Sequence, residues 1–428
     1  MPDWKLAHDY LESLLRSERA GPDELSAYQS KLLRRLVDHA FDETPFYAGR
    51  GGKPADLAPH SPGWLSQPCV SRSDLVENFD AFRPSSFSRL HGVITPLSTG
   101  GSTGPAARRD TTSLEALARL LASYRMYRNW TFDQSRPFFV FRKLAGENEP
   151  RRDKWGFPWN GESNLGDRTW IDIATPAAEQ LQAMSGQGPV YVNTLPSNIL
   201  RLSVAALRSD VRISIPFIVS VGEYLAPEVR AAAQEAFGST IIDSFASAEG
   251  GVIAVQCPEA GLYHIQSEQV LAEIISLHGK PCAPGEAGEV IVTPLYGYAT
   301  PLIRYRSGDF AEAGPACPCG RVLPTISRLL GRREHMFAFP DGTRRLPELD
   351  RVRITQTLGH DQWVLVQRSK TGAEFRHTGV LTAAARQAVT GSLESTLVHG
   401  FQLRCAQVDA LPLTSGGKRH FTLNEMGN

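Results

Sequence analysis

Apolar residues recur every three or four positions in the first part of the chain, which predicts helices. The clearest repeat runs from Leu25 to Ala40, and Gly21-Pro22-Asp23 separates it from a shorter repeat before it. Proline after glycine is typical of the first turn of a new helix. The pattern therefore predicts two helices within residues 3–45, the second ending at Thr44-Pro45-Phe46-Tyr47.

Short apolar runs and amphipathic segments alternate between about residues 93 and 250. The predicted strands are 93–95, 138–141, 190–192, 213–221 and 240–242. The predicted helices start at Thr112, where Glu115 completes a capping box, at Asn198 after a Ser197 cap, and at Pro227, the last ending at Gly238. This alternation favours α/β layers in which most strands are parallel.

After Gly250 the predicted strands follow one another without intervening helices, at 262–265, 270–276, 289–293 and 302–305. This order favours an antiparallel subdomain. The last strand is predicted to stop at Ser307-Gly308, because serine and glycine punctuate extended segments. Asp309 is then expected at a strand end, where its carboxylate can face a ligand.

A domain boundary is predicted near residue 332. The polar segment Gly331-Arg332-Arg333-Glu334 follows the apolar pair Leu329-Leu330. Beyond it, strands are predicted at 363–367, 373–375 and 401–408, with one helix at 382–397. The sequence thus predicts an α/β fold. A large N-terminal domain at 1–332 combines mostly parallel layered sheets with the antiparallel subdomain, and a small α+β domain occupies 333–428.

Composition narrows the choice of partners. The 428 residues are 42% hydrophobic and 21% charged, as in ordinary globular proteins with a large core. Lys and Arg total 45, as do Asp and Glu, so the neutral sum argues against nucleic acid or an anionic membrane as partner. The N-terminal residues lack a signal-peptide pattern and no apolar run is long enough to cross a bilayer, which predicts a cytoplasmic protein.

Three segments carry candidate chemistry. Ser98–Gly104 is rich in glycine and hydroxyl residues that can surround phosphate oxygens with backbone N–H groups, although it lacks the Gly-Lys of a Walker loop. Asp243–Gly250 places an aromatic residue and a carboxylate after a predicted strand, at the edge where α/β sheets bind ligands. Leu413–Arg419 presents a lysine on a Gly-Gly turn. Taken singly, each also fits a plain turn, a solvated strand end or a surface lysine.

Together, these segments resemble the adenylate-forming (acyl-activating) superfamily, in particular its phenylacetate–CoA ligase-like branch. The resemblance spans essentially the whole chain, and the motifs keep the family's order. They are Thr44-Pro45-Phe46-Tyr47, Thr99–Gly104, Phe245–Glu249, Pro301–Asp309, Gly331-Arg332 and Gly417-Lys418.

The resemblance implies a two-step reaction that uses ATP, Mg²⁺ and coenzyme A. A carboxylate attacks the α-phosphate of ATP, which gives an acyl-adenylate and pyrophosphate, and a thiol then takes the acyl group. In this family the small C-terminal domain is mobile. It moves between the two steps, withdrawing its lysine and opening a channel for the thiol.

The resemblance also implies nucleotide contacts. Phe245 would stack on adenine, Asp309 would accept both ribose hydroxyls, and Arg332 would touch the nucleotide beside a hinge near Glu334. The full set of expected ATP-binding residues is Gly101, Ser102, Thr103, Gly104, Gly222, Glu223, Asp243, Phe245, Asp309 and Arg332.

Four residues would carry the catalytic roles. Ser102 and Thr103 would hold the pyrophosphate end of ATP, and Glu249 would bind the Mg²⁺ that offsets phosphate charge. Lys418 would bridge the substrate carboxylate and the α-phosphate, stabilising charge as it develops.

Four positions depart from the family's pattern. Ala248 stands where a hydroxyl residue is expected beside the α-phosphate, and Phe245 replaces the commoner tyrosine. Pro105 stands where a lysine often follows the glycine loop, and Glu334 replaces the usual aspartate at the hinge. No indispensable charge is lost, but the departures leave room for a slow enzyme or an unusual acceptor.

Cysteine and histidine supply a separate signal. Cys257 and His264 form a Cys-x₆-His pair, and Cys317 and Cys319 follow in Cys-Pro-Cys-Gly. Three thiolates and an imidazole suit a closed, tetrahedral, structural Zn²⁺ site. Similar placement occurs in some members of the branch that the chain resembles. Four unrelated side chains, the cysteines simply buried, are the alternative.

The branch favours aromatic acids, so an aryl or arylacetic acid is the expected substrate. The predicted pocket is lined by Phe139, Phe141, Tyr191, Phe217, Phe245 and Ala246. Each of these rings also fits an ordinary core.

Two other functions stay open. The chain is alternatively an adenylating enzyme that loads a carrier-protein phosphopantetheine thiol or an amine, as in specialised metabolism or surface-polymer assembly. It is otherwise a non-catalytic member that binds nucleotide, which Ala248 favours and which Glu249, Asp309 and Lys418 argue against. A homodimer is expected from the resemblance alone.

Overall fold

The computed structural model describes residues 4–54, 56–98, 107–144, 151–156, 164–397 and 401–426. The predicted phosphate-loop residues Gly101, Ser102, Thr103 and Gly104 lie outside these ranges. Short 3₁₀ turns occur at Phe79–Phe82, Arg89–His91 and Arg333–His335. The helices are α1 (Trp4–Ser17), α2 (Pro22–Glu43), α3 (Pro45–Ala48), α4 (Pro62–Leu65), α5 (Arg72–Glu77), α6 (Ser113–Asn129), α7 (Ala177–Met184), α8 (Pro196–Leu207), α9 (Pro227–Phe237), α10 (Arg351–Leu358) and α11 (Ala383–Thr396).

The strands account for most of the remaining regular structure. They are β1 (Ile94–Ser98), β2 (Arg108–Thr112), β3 (Phe138–Arg142), β4 (Arg151–Lys154), β5 (Asp167–Asp172), β6 (Tyr191–Thr194), β7 (Phe217–Val221), β8 (Thr240–Ser247), β9 (Gly251–Gln256), β10 (Tyr263–Ile265), β11 (Val270–Ile275), β12 (Ala287–Pro294), β13 (Tyr305–Ala313), β14 (Thr325–Arg332), β15 (Phe337–Ala338), β16 (Arg344–Arg345), β17 (Trp363–Ser369), β18 (Gly372–His377), β19 (Gln402–Gln407) and β20 (Thr422–Asn424).

Contacts divide the chain into two compact units. The first contains residues 1–133 and 244–329, and the second contains 134–243 and 330–428. The chain passes from one unit to the other inside strands β8 and β14. The boundary at residue 332 between two domains remains a prediction. Within the described ranges, no helix combines the length and the hydrophobicity needed to cross a membrane.

The first unit is built on antiparallel strands. They follow the order β11-β12-β13-β14-β10-β9-β8, and β8–β9, β9–β10, β10–β14, β11–β12 and β12–β13 all pair antiparallel. Helix α2 buries Leu33 and Val37 in the same core as Val290 and Ile303. Each aliphatic side chain buried in this way stabilises the unit by about 1.5–3 kcal/mol. The antiparallel part predicted after Gly250 is confirmed.

The motif Thr44-Pro45-Phe46-Tyr47, at the end of α2, binds the backbone of the segment that leads into β13. The Tyr47 hydroxyl accepts the Ile303 N–H at 2.9 Å and donates to the Pro301 carbonyl at 3.2 Å. The Thr44 hydroxyl donates to the Ala40 carbonyl at 2.7 Å and closes the last turn of α2. All three bonds are buried, so the motif acts by fixing the backbone.

The second unit contains the parallel strands. Their order is β7-β6-β3-β5-β4, in which β3 pairs parallel with β5 and β6, β6 pairs parallel with β7, and β4 is an antiparallel edge. Helices α7, α8 and α9 connect or flank these strands. Helix α9 ends as predicted at Gly238, whose φ of 67° is readily adopted by glycine.

Residues 330–428 of the second unit form a smaller layer of their own. Its sheet has the order β19-β18-β17-β20, with β17 and β18 antiparallel and the two outer pairs parallel. Helix α11 matches the predicted helix, whereas α10 and β20 were not predicted. Val352, Leu413 and Phe421 pack on the hydrophobic core formed by residues 134–243.

Two predicted caps have a different role in the structure. Thr112 caps α6 as expected by accepting the Glu115 N–H at 3.1 Å. The Glu115 carboxylate, however, binds two arginines, and the expected capping box is replaced by these ion pairs. Helix α8 begins at Pro196 with Leu195 as its N-cap, so the Ser197 cap was wrong. In both cases another side chain takes the polar group: arginines four and six positions away bind Glu115, and Glu223 binds Ser197.

Candidate active site

Glu249 lies in a tight turn between β8 and β9 in the first unit. Its side chain is buried, and one carboxylate oxygen accepts the Tyr305 hydroxyl at 3.3 Å. The guanidinium of Arg72 lies 4.0 Å from the same oxygen. A carboxylate has about four lone-pair directions, so these two contacts leave acceptor capacity for a cation.

Phe245 and Ala246 lie inside β8 and not after a strand end. The predicted strand 240–242 continues to Ser247, and its last four residues pair with β9. Phe245 is half-buried and packs against the core of the first unit. The register shifts directly after Phe245, which makes a β-bulge. The ligand-facing strand end predicted here is therefore corrected to a continuous strand that leads into the Glu249 turn and lies opposite a β-bulge at Ile253 of β9.

Asp309 lies within β13, so the strand end predicted at Ser307-Gly308 is wrong. Residues 307–309 stand opposite the single residue Val290, which makes a β-bulge. Gly308 has a φ of +75°, a left-handed conformation that glycine adopts at little cost. Ser307 donates its hydroxyl to the Val290 carbonyl at 2.8 Å and accepts the Asp309 N–H at 3.1 Å. The half-buried Asp309 is thus presented by a fixed irregularity inside a strand.

Lys418 follows a closed turn in the second unit. The Gly417 N–H donates to the Thr414 carbonyl at 2.8 Å, and the Lys418 N–H donates to the Thr414 hydroxyl at 3.0 Å. Gly417 has a φ of +79°, and a Cβ added there would lie 2.8 Å from Ile173 Cγ2. Only glycine fits this position, because the turn lies directly against Ile173.

The amine of Lys418 lies beside Gly222. A Cβ added to Gly222 would be 3.7 Å from Lys418 Cε and 4.0 Å from its Nζ. Gly222 also has a φ of +86°, so its backbone conformation favours glycine independently of the lysine. The structure therefore brings together two residues, 222 and 418, that the sequence motifs had placed in separate segments.

Glu223 connects the lysine turn to helix α8. Its half-buried carboxylate accepts the Ser197 N–H at 2.8 Å, the Ser197 hydroxyl at 3.0 Å and the Arg419 N–H at 2.9 Å. Burial raises the pKa of Glu223, while these donors and the charge of Lys418 act in the opposite direction. A carboxylate that accepts bonds from both sides fixes the turn that carries Lys418.

Asp243 and Arg332 are the remaining predicted nucleotide contacts of the second unit. Asp243 is buried in β8 and accepts the Ser220 hydroxyl at 2.8 Å. Arg332 is part of a charged cluster, with its Nη1 3.7 Å from Glu334 Oε1. The same oxygen lies 3.6 Å from His335 Nε2, so Glu334 is shared between two basic groups at the predicted hinge.

The predicted aromatic pocket divides between two faces of the parallel strands. Phe139 and Phe141 pack into the core of the second unit and are 3% and 0% exposed. Tyr191 and Phe217 stack on each other with ring centroids 5.8 Å apart, and the Arg136 guanidinium lies 5.8 Å from the Tyr191 ring. Since successive residues of a strand face opposite sides, the two sets lie on different faces. Tyr191 is 2% exposed and thus as buried as Phe139, and of these four rings only Phe217 is partly exposed, so the pocket stays a prediction.

Cys257, His264, Cys317 and Cys319 form one cluster in the first unit. Their ligand atoms all lie within 4.8 Å of one another. Cys257 and His264 come from β9–β10, and the other pair comes from the connection between β13 and β14. Burial raises the pKa of Cys317 to about 12. Although burial also acts on Cys319, hydrogen bonds from Arg321 and Cys317 lower its pKa.

Sequence reasoning missed two arginines next to the Glu249 turn. Arg109 and Arg119 donate to backbone carbonyls of Ala248 and Glu249, more than a hundred positions away in the chain. Charged residues in β2 and on α6 look like ordinary surface positions in the sequence. The one available signal was Glu115, whose acid at a helix start has two arginines within six positions.

No profile of a known protein family matches the chain. Individual proteins do match it. The chain is 25% identical over 346 residues to the phenylacetate–coenzyme A ligase of Escherichia coli, which covers 75% of this chain and 74% of that ligase. It is 24% identical over 334 residues to the phenylacetate–coenzyme A ligase of Thermus thermophilus, covering 74% and 72%. The predicted resemblance to the adenylate-forming superfamily is confirmed.

The relatives that carry this resemblance are phenylacetate–CoA ligases. A solved structure of 2-hydroxyisobutyryl-CoA ligase with 2-HIB-AMP, in the postadenylation state, has the same fold. The TM-score is 0.73 at 18% identity, over 96% of this chain and 91% of that one. The predicted α/β fold with an antiparallel part and a C-terminal α+β layer is confirmed.

Proposed function

We propose that the protein activates a carboxylic acid with ATP to an acyl-adenylate and transfers the acyl group to the thiol of coenzyme A. One observation carries the proposal: Lys418 stands on a closed turn beside Gly222, and Glu223 fixes that turn. The relatives that align with about three quarters of this chain are ligases named for phenylacetate and coenzyme A. A positioned lysine is what the first half-reaction requires.

Lys418 stabilises the negative charge that develops as the acid attacks the α-phosphate. An ammonium group held by the protein before the reaction does this without reorganising water. Glu223 supports that role by binding the backbone of Arg419, the next residue. Gly222 leaves room for the amine, since a side chain at that position would contact Lys418 Cε.

Glu249 is the ligand we assign to Mg²⁺. Its buried carboxylate and its remaining lone pairs fit a hard cation, which prefers oxygen ligands. Mg²⁺ supplies neutralisation of phosphate charge when bound. Tyr305 and Arg72 hold the carboxylate in one orientation.

The nucleotide roles follow the family pattern. Phe245 stacks on adenine, and Asp309 accepts the two ribose hydroxyls. A single carboxylate suits two adjacent hydroxyls because it offers two acceptor oxygens. Arg332 contacts the nucleotide beside the hinge.

Asp309→Ala is expected to raise the KM for ATP by about 10- to 100-fold, since two hydrogen bonds to a charged group are lost. The kcat at saturating ATP is expected to stay within about threefold, because the ribose is remote from the reacting atoms. Steady-state pyrophosphate release against ATP concentration measures both constants. Asp341→Ala, at an exposed position, is the matched control. An unchanged KM for ATP contradicts the ribose assignment.

The thiol step requires that residues 333–428 withdraw Lys418, and an ion pair opposes that movement. Arg351 of α10 binds Glu228 of α9 at 2.7 Å and is largely buried. Arg351→Gln is expected to lower acyl-adenylate formation by about three- to tenfold, because the pair favours the arrangement with Lys418 beside Gly222. Thioester formation from preformed adenylate is expected not to fall.

Single-turnover assays of each half-reaction measure this split. The double variant Glu228→Arg/Arg351→Glu keeps opposite charges at both positions and is expected to restore part of the lost activity. An equal loss in both half-reactions would show that the pair acts only on stability.

The acid is proposed to be an aryl or arylacetic acid. Support comes from the stacked pair Tyr191 and Phe217, with the half-buried edge of Phe217 available to a ring. Phe139 and Phe141 are left out of the pocket because they belong to the core.

A structural Zn²⁺ is proposed at Cys257, His264, Cys317 and Cys319. Three thiol groups and one imidazole within 4.8 Å match a tetrahedral donor set with no open position. Three of the four residues are buried, which fits a site that closes around its metal. The metal would cross-link the β9–β10 connection to the β13–β14 connection and would take no part in the reaction.

Pyrophosphate release tests the proposed function. The assay uses Mg²⁺-ATP and a panel of aryl, arylacetic and aliphatic acids, each with and without coenzyme A. Multiple turnovers that require coenzyme A and one acid class support the proposal. Acid-dependent release that stops after one turnover despite coenzyme A points to a carrier-protein thiol or an amine as acceptor. No release with any acid contradicts it for the acids tested.

A further inference from the structure

Arg109 is a fully buried arginine on β2. Its side chain is 0% exposed, and its Nη2 donates to both oxygens of Glu115, at 2.6 and 2.7 Å. Arg119, one turn further along α6, donates to Glu115 at 2.8 Å. Glu115 also accepts the Thr111 hydroxyl at 2.9 Å. One carboxylate therefore anchors two guanidinium groups.

The two arginines also bind the backbone of the Glu249 turn through their terminal nitrogens. Arg109 Nη1 donates to the Ala248 carbonyl at 3.0 Å and to the Glu249 carbonyl. Arg119 Nη2 donates to the Ala248 carbonyl at 2.7 Å. A Cβ added to Gly251 would lie 3.2 Å from Arg119 Cγ and Nε, so the turn is in close contact with that side chain.

The energetics of burial make this arrangement specific. Removing a guanidinium from water costs several kcal/mol unless its donors are paired with good geometry. The two arginines reach that pairing only if the Ala248 and Glu249 carbonyls point toward them. The peptide planes on both sides of the Glu249 side chain are thereby fixed, and with them the direction in which the Glu249 carboxylate leaves the backbone.

The network also links two motifs. Strand β2 begins at Arg108, four positions after Gly104, the last residue of the glycine-rich motif. Arg109 is thus bonded to the turn with the proposed metal ligand and lies on the strand that leaves the proposed phosphate loop.

We propose that Arg109, Glu115 and Arg119 are positioning residues that orient Glu249 for the divalent cation carried by ATP. The assignment rests on the proposed function and extends it, because it names residues that act on the metal through the backbone and do not touch it. The assignment predicts that these three residues affect nucleotide binding when the divalent cation is present and not when it is absent.

The test measures nucleotide binding by calorimetry, with Mn²⁺ as the probe for the cation and ATP in EDTA as the metal-free arm. Arg119→Met is expected to raise the Kd of Mn²⁺-ATP about tenfold, as outer partners of metal ligands do, and to leave the Kd of ATP in EDTA within about twofold. Glu249→Gln sets the reference, since it removes the ligand itself. Arg128→Met, on the same helix and half-exposed, is the matched control.

Arg119→Lys keeps a charge for Glu115, but the lysine side chain is one atom shorter than the arginine whose Nη2 bonds both Glu115 and the Ala248 carbonyl. It is expected to fold like the unsubstituted protein and to raise the Kd of Mn²⁺-ATP about threefold. The melting temperature of every variant is measured to check that it is folded.

Equal increases in Kd with and without Mn²⁺ overturn the assignment, since they indicate a general structural role. An unchanged Kd of Mn²⁺-ATP in both Arg119 variants also overturns it and leaves the proposed function standing. If the unsubstituted protein binds ATP no more tightly with Mn²⁺ than without, the proposed role of Glu249 fails first, and the positioning role fails with it.

Discussion

Lys418→Ala is expected to reduce acyl-adenylate formation at least about a hundredfold, the loss typical of a single group that stabilises developing charge. Thioester formation from preformed acyl-adenylate is expected to stay within about threefold, because the lysine is withdrawn before that step. Acid-dependent exchange of labelled pyrophosphate into ATP measures the first half-reaction. A single-turnover assay with synthetic adenylate and coenzyme A measures the second.

Two further variants make the comparison specific. Lys370→Ala removes an exposed lysine from the same C-terminal layer and is expected to leave both half-reactions unchanged. Lys418→Arg keeps the charge but has a larger, planar head group next to Gly222, so little recovery is expected. If Lys418→Ala slowed both half-reactions equally, the lysine would have no role particular to adenylate formation.

Cys317→Ser is expected to abolish zinc binding and to lower the melting temperature by at least about 5 °C, because metal-binding free energy contributes to folding. Purified protein is expected to contain one zinc per chain by elemental analysis. Removing the metal with a strong chelator should reproduce the loss of stability in the unsubstituted protein. Re-addition of Zn²⁺ should restore it there and not in the variant.

Cys405→Ser is the matched control, since this half-buried cysteine lies outside the cluster. It is expected to keep both zinc content and melting temperature. Protein that is metal-free as purified, and whose stability responds neither to chelator nor to Cys317→Ser, would show that the four side chains only pack together.

Local signals in the sequence located irregular backbone but not its kind. Ser307-Gly308 correctly indicated a departure from regular strand geometry. The same residues occur where a strand ends and where it bulges, and the difference depends on Val290 of the neighbouring strand. Pairing across strands is decided by the fold of the whole unit, which is why Asp309 was expected at a strand end.

Polar side chains near helix starts show the same limit. Glu115 and Ser197 were assigned to local caps because cap rules consider only the next few residues. In the structure Glu115 binds Arg109 and Arg119, and Ser197 donates to Glu223. A polar side chain binds a buried charged partner in preference to a helix end, because an unpaired buried charge costs more free energy than a missing cap. The sequence does not show which charges are buried.

The cluster of Cys257, His264, Cys317 and Cys319 was the site feature best indicated by sequence. Both pairs have short internal spacing, so each forms by local structure, one across β9–β10 and one within a turn. The pairing of those two local groups follows from β10 lying beside β14. The lysine motif was visible in sequence but also fitted a surface lysine, and its contacts with Gly222 and Glu223 required the packing of the second unit.

The separation of the four cluster residues along the chain has a consequence for folding kinetics. Cys257 and Cys317 are 60 positions apart, and His264 and Cys319 are 55 positions apart. Closing a loop of this length costs on the order of 4 kcal/mol of chain entropy. A cation bound by both pairs early in folding would offset that loss of chain entropy before β11, β12 and β13 pair with their neighbouring strands. Zinc would then speed the search for the register that places Asp309 in its bulge, an effect on the refolding rate separate from the effect on melting temperature.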